Sequence, residues 1–197
     1  MAHRRTRNQQ AAGFAWFVIK LAFHVVSITF LLTVLFDTKT RHMKPFTMLT
    51  NGMAPSIKAD DKIMAENGSL NDTLPGRGDV VVFLTRDLPR LKAMGQTVLI
   101  QRVAALDGDK VELQPGQVLV NGEEFVARNE FGTLHYDGTE HRGLDATFIV
   151  PPGHVFTLGD NSSDCNDGRY WGFVPQKNIV YRAWFCYWPP SRMGPIH

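Results

Sequence analysis

Val118-Leu119-Val120-Asn121-Gly122-Glu123-Glu124-Phe125-Val126 sets the fold class of this chain. Two short runs of strand-forming residues flank an Asn-Gly pair. Both central residues of a type I′ turn need a positive φ, which asparagine and glycine tolerate best, so the stretch predicts a two-residue β-hairpin. The same texture extends outward on both sides. Residues 80–84, 97–105, 110–113, 147–150, 155–158 and 179–185 are short runs rich in Val, Ile, Phe and Thr, punctuated by Gly, Pro, Asn and Asp. After Pro45 no helical period of useful length intervenes. The expected fold is therefore mainly β, a coiled sheet or partly closed barrel that leaves few bare edges.

The N-terminus has a different texture. Residues 1–13 are polar and carry Arg4, Arg5 and Arg7, and residues 14–36 are almost continuously apolar. A helix of about twenty apolar residues spans a bilayer's hydrocarbon core, so 14–36 predicts a single transmembrane helix with the lipid bilayer as its partner. The run is longer than the roughly 7–15 residues of a signal-peptide core, and no small-x-small cleavage site follows it. Lys20, two turns in, is placed to snorkel toward the N-terminal side. Charge alone leaves the orientation tied, because Lys39, Arg41 and Lys44 flank the far end as closely as the three arginines flank the near one.

Composition excludes several classes. A formal net charge of +2 over 197 residues, with basic residues spread along the chain, gives no nucleic-acid footprint. Cys165 and Cys186 cannot make a disulfide framework; one bridge or two separate thiols both fit the sequence. Residues 128–145 contain His135, Asp137, Glu140 and His141, but their spacing matches no strong metal-ligand signature. They read as a solvated loop insertion, and neither a metal nor a cofactor is expected.

Four stretches carry chemistry. They are Gly52-Met53-Ala54-Pro55-Ser56, then 77–83 (Arg-Gly-Asp-Val-Val-Val-Phe), then 101–109 beginning Gln101-Arg102, and finally 159–175, which runs Gly-Asp-Asn-Ser-Ser-Asp-Cys-Asn-Asp-Gly-Arg-Tyr-Trp-Gly-Phe-Val-Pro. In order and approximate spacing they resemble the type I signal peptidases (S26-type membrane peptidases). The last stretch is similar to the family's G-D-N-x-x-x-S-x-D-S-R-x-W-G-x-V-P at nearly every fixed position. The resemblance implies an N-terminus in the cytoplasm and residues 37–197 as an extracytoplasmic β-rich domain on the periplasmic or cell-surface side. It also implies a serine/lysine dyad, in which a buried neutral lysine takes the proton of a serine that attacks the scissile carbonyl.

Here the dyad positions hold other residues. Gly52 stands in the serine's place and Gln101 in the lysine's, and Cys165 replaces the serine that supports the lysine. Glycine has no nucleophile, and an amide has no proton equilibrium to exploit near neutral pH. The positions that shape the groove match the pattern: Met53, Pro55, Arg102, Asp160, Asn161, Asp167 and Arg169, with Trp171 as packing. Substitutes within sequence reach are Thr50, which shares the face of Gly52 in a period-2 segment, Cys165 as a thiol, and Lys92 as a base, with Lys58 and Lys110 further afield. Ser56, beyond the proline, is not expected to reach the serine's place. Two functions follow. One is a non-catalytic homologue that binds signal-peptide-like or pilin-like segments as a chaperone or assembly factor, working with an active peptidase or secretion machinery. The other is an active endopeptidase that cleaves signal peptides after small-x-small sites with substitute groups.

Overall fold

The Asn121-Gly122 hairpin forms as its sequence dictates. Asn121 and Gly122 have φ of 55° and 86°, and Val120 pairs with Glu123 across the turn. The computed structural model describes residues 16–30, 43–67, 74–93, 95, 97–129, 131–139, 144 and 146–197. The chain divides into two units, Met1–His42 and Met43–His197.

In the first unit, residues 16–30 form helix α1. Its apolar side chains, among them Trp16, Phe17, Val18 and Ile19 on four successive positions, are exposed on every face, the pattern of a helix without a polar side. The Lys20 ammonium reaches back one turn and lies 4.6 Å from the centre of the Trp16 ring. Among the described residues no helix is long and apolar enough to cross a membrane. Residues 14–15 and 31–36 of the expected span, and Arg4, Arg5, Arg7, Lys39 and Arg41, lie outside the described residues.

The second unit is built on an open sheet. Its strands are β1 (Met43–Thr47), β2 (Lys62–Asn67), β3 (Val80–Leu84), β4 (Val98–Ala105), β11 (His154–Leu158), β12 (Val174–Pro175), β13 (Ile179–Trp188) and β14 (Gly194–Pro195). They run in the order β1-β2-β13-β3-β4-β11-β12, with β14 on β13. A second sheet, β10-β5-β6-β7, combines Thr147–Ile149, Lys110–Gln114, Gln117–Val120 and Glu123–Glu124. The partly closed barrel expected from the sequence is corrected: the strand order is an open path whose ends, β1 and β12, do not pair. β12 is only two residues long, which leaves little edge to protect. Two short helices, α2 (Pro89–Ala93) and α3 (Gly168–Trp171), lie in the connections.

β3 reads as an unbroken apolar run because both faces are covered. Val80 and Val82 join one core cluster with Met53, Ile57 and Ile63, while Val81 and Phe83 join another with Leu91, Val103 and Val155. β5 alternates instead: Val111 and Leu113 are buried, alternating with the less buried Lys110, Glu112 and Gln114, and feed a third cluster around Phe125, Tyr136 and Phe156.

The excursion at 128–145 is not simply a loop. Val126–Asn129 and Gly132–His135 pair as a hairpin, β8-β9, and Tyr136 behind them is 1% exposed. Its acidic and imidazole groups have structural work. His135 Nδ1 lies 2.7 Å from Glu124 Oε1, and the Asp137 carboxylate accepts from the Gly116 and Thr139 amides. Glu140 and His141 lie outside the described residues. Cys165 and Cys186 form no disulfide.

Candidate functional site

The turn after β1 is fixed before it reaches the site. Met48 N–H donates to Asp61 O at 2.9 Å and Asp60 N–H returns to Met48 O at 2.8 Å. Met53 and Ile57 are fully buried beneath it. Arg192 holds its far side: the guanidinium donates to Pro55 O at 2.8 Å, to Ser56 O at 3.1 Å and to the Asp61 carboxylate at 2.9 Å. Gly52 is therefore presented at a set position, with its carbonyl accepting from Asn161 N–H at 3.1 Å. Asn161 Nδ2 adds a bond to Asn51 O at 3.2 Å.

β4 sends its next two relevant side chains to opposite faces, as the period of a strand requires. Arg102, fully buried, makes a bidentate pair with Asp160, at 2.8 Å from Nε and 2.6 Å from the second nitrogen. It also donates to Gly78 O at 2.7 Å. Asp160 accepts two further bonds, from Tyr136 OH at 2.7 Å and from Ser56 Oγ at 2.5 Å, and Asn129 Nδ2 donates to Ser56 Oγ at 2.7 Å. Burial, and then the Asp160 carboxylate, push the Tyr136 phenol far above its ordinary range, so it stays a donor. Ser56 is committed to this network and does not line the groove. Tyr136 and Asn129 were not among the sequence-predicted residues; they sit in the stretch where alternation is weakest.

Gln101, 2% exposed, faces the other way. Its Oε1 accepts from Thr157 Oγ1 at 2.8 Å and its Nε2 donates to Asn166 O at 2.9 Å, with Cys165 Sγ 3.7 Å away. Asp167 and Arg169 hold the loop that carries Cys165. They pair through two 2.8 Å bonds, Asp167 caps α3 and accepts from Gly159 N–H at 3.0 Å, and Arg169 donates to Asp137 O and Ser162 O.

These parts meet at one end of a groove of about 670 Å³. One wall is residues 46–52, the other is 97–101 of β4, and 163–166 closes the end. The ladder between β11 and β4 stops at Arg102, so 98–101 pair only with β3 and offer the groove an open strand edge. A Cβ built on Gly52 would stand 3.0 Å from Cys165 Sγ and 3.7 Å from Thr50 Oγ1. Thr50 and Cys165 thus both lie beside Gly52. Burial pushes the Cys165 thiol up to about 12, with the Asp167 charge adding to the effect. Lys92 is exposed on α2, Lys58 is exposed, and Lys110 pairs with Glu112 at 2.8 Å. No lysine or histidine lines the groove among the described residues, and none of these residues forms a group able to hold a metal ion.

The model of the family "Signal peptidase, peptidase S26" matches residues 21–188. "Probable signal peptidase I-1" of Synechocystis sp. is 32% identical over 155 residues, which cover 78% of this chain and 75% of that protein. "Thylakoidal processing peptidase 1, chloroplastic" of Arabidopsis thaliana is 31% identical over 183 residues, 89% of this chain. The chain spans only about half of that plant relative, 49% of its length. A crystal structure of a signal peptidase I from Enterococcus faecalis V583 aligns with a TM-score of 0.37 at 28% identity, covering 54% of this chain and 94% of that one. The chain belongs to the signal peptidase, peptidase S26, family.

Proposed function

We propose that this chain is a membrane-anchored signal peptidase homologue that binds signal-peptide-like or pilin-like segments without cleaving them, with its β-rich domain outside the cytoplasm. One observation carries the reading: the groove is lined by Gly52 and Gln101, the positions at which the resemblance expects the dyad, and among the described residues by no lysine or histidine. Gly52 offers no hydroxyl. The Gln101 amide is held by Thr157 and Asn166, and a neutral amide takes no proton from a nucleophile. The open edge of 98–101 gives an extended segment a strand to pair with. The relatives' names, signal peptidase and processing peptidase, support a ligand of this class. An assembly or chaperone role follows from binding without turnover.

The neighbourhood of Cys165 and Thr50 around Gly52 favours a second reading, an endopeptidase that uses a substitute nucleophile. A thiol raised to about 12 is almost wholly protonated at neutral pH, which weighs against it. The test is to incubate the purified full chain with a signal-peptide-bearing precursor that carries a photo-crosslinker. Crosslinking into the groove with no cleavage is expected. Cleavage that Cys165→Ala or Thr50→Val abolishes would overturn the non-catalytic reading.

A further inference from the structure

Of the described side chains that line the groove, Asp164 alone carries a charge. It is exposed, and among the described residues its carboxylate meets no cation and accepts no hydrogen bond. Arg90, which donates to Tyr170 O, does not line the groove. The loop beneath the carboxylate is tied down. Asp164 N–H donates to Asn161 O at 3.1 Å, and Asn161 N–H donates to Gly52 O at 3.1 Å. Ser163 Oγ donates to Asn161 Oδ1 at 3.2 Å, and Arg169 donates to Ser162 O at 2.9 Å. The charge is therefore presented from a fixed backbone at the closed end of the groove. Much of the rest of the lining is apolar, with Phe46, Leu49 and Ile100 among it. A ligand that fills the groove strips water from the carboxylate. A neutral ligand leaves that loss without compensation, an anionic one adds repulsion, and a cationic one pairs with the charge.

We infer that Asp164 selects the groove's ligand: a peptide segment with a basic side chain, lysine or arginine, at the position that reaches residues 163–166. The inference rests on the reading that the groove binds signal-peptide-like segments, and adds one charged position to them. The strand edge at 98–101 sets the register of an extended segment, and a slip of one residue turns each side chain to the other face. The residues on either side of the selected position therefore point away from Asp164.

The test uses the full chain in detergent micelles and fluorescent signal-type peptides with both termini blocked. Lysine, glutamine or glutamate is placed in turn at successive positions around the small-x-small end, and affinity is read by fluorescence anisotropy. At one position lysine is expected to bind about tenfold more tightly than glutamate, with glutamine between them. The next position along is expected to show no such order, and added NaCl is expected to shrink the ratio. Asp164→Lys is expected to reverse the order at the same position, which mere damage to the loop would not do. Absence of a lysine preference at every position, or a preference that survives Asp164→Lys, overturns the inference and leaves groove binding standing. Failure of every peptide to bind the unaltered chain overturns the proposed function itself.

Discussion

The two faces of β4 at Gln101 and Arg102 follow opposite rules. On the Arg102 face, five polar side chains meet and each is satisfied: Arg102 and Asp160 pair, and Tyr136, Ser56 and Asn129 supply the remaining bonds. On the Gln101 face, the groove ends at Gly52, the Gln101 amide and the Cys165 thiol, which burial keeps protonated. A buried ion pair tolerates no partial loss, because removing one partner leaves a charge without compensation. A catalytic base can be exchanged for a neutral amide of similar reach with its hydrogen bonds intact. The difference teaches that a buried charged cluster constrains its members through folding energetics, whereas neutral groups beside a groove are constrained far less by the fold.

The largest expected effect breaks the contrast from the reactive side. The new Cβ of Gly52→Ser would stand 3.0 Å from Cys165 Sγ, so the serine and the thiol crowd each other. Gly52→Ser with Gln101→Lys alone is expected to leave cleavage near background. Adding Cys165→Ser, which replaces sulfur by the smaller oxygen, is expected to raise signal-peptide cleavage about 10²–10⁴-fold, and no single change achieves this because the groups act as a unit. Cleavage measured by mass spectrometry of a precursor peptide decides it. A double variant as active as the triple would remove the steric coupling from the account.

On the frame side, Asp160→Ala leaves the buried Arg102 guanidinium unpaired. It should lower unfolding stability by about 3–5 kcal/mol, read as a shift of the urea midpoint with an unchanged slope. A loss below about 1 kcal/mol would mean that the frame is not what fixes the groove.

The thiol supplies an intermediate effect. Moving from 9.0 to about 12 cuts the thiolate about a thousandfold, while the more basic thiolate regains roughly twentyfold in nucleophilicity. Iodoacetamide should therefore alkylate Cys165 about 50-fold more slowly than an ordinary thiol, measured at pH 8 in a Cys186→Ala background. The sign for stability follows. The folded state holds this proton more tightly than the unfolded chain, so the contribution is complete below about pH 9 and is lost as pH rises toward about 12. The smallest effect sharpens the comparison: Thr50→Val should change stability by no more than about 0.5 kcal/mol, because Thr50 is exposed and holds nothing in place.

Much of the frame was legible. β3 and the Asn121-Gly122 hairpin fall where a run of β-branched residues and turn chemistry put them, since both depend on residue type and local φ/ψ. β1 and β2 were missed. Lys62-Ile63-Met64-Ala65-Glu66-Asn67 has a single β-branched residue, and its strand state comes from pairing with β1 and β13. The stretch at 128–145 was read as solvent-facing, yet it sends Tyr136 into the core and Asn129 to Ser56.

By itself, the sequence determined the mainly β class and the family, because residue identity and local period are properties of the chain alone. Only the tertiary structure decided that the main sheet stays open, that Asp160 collects bonds from three separate segments, and that Cys165 stands against Gly52. Those are meetings of residues far apart in sequence. They are set by strand register, by the end of the β11 ladder at Arg102 and by the loop that Asp167 and Arg169 hold, none of which a local pattern encodes.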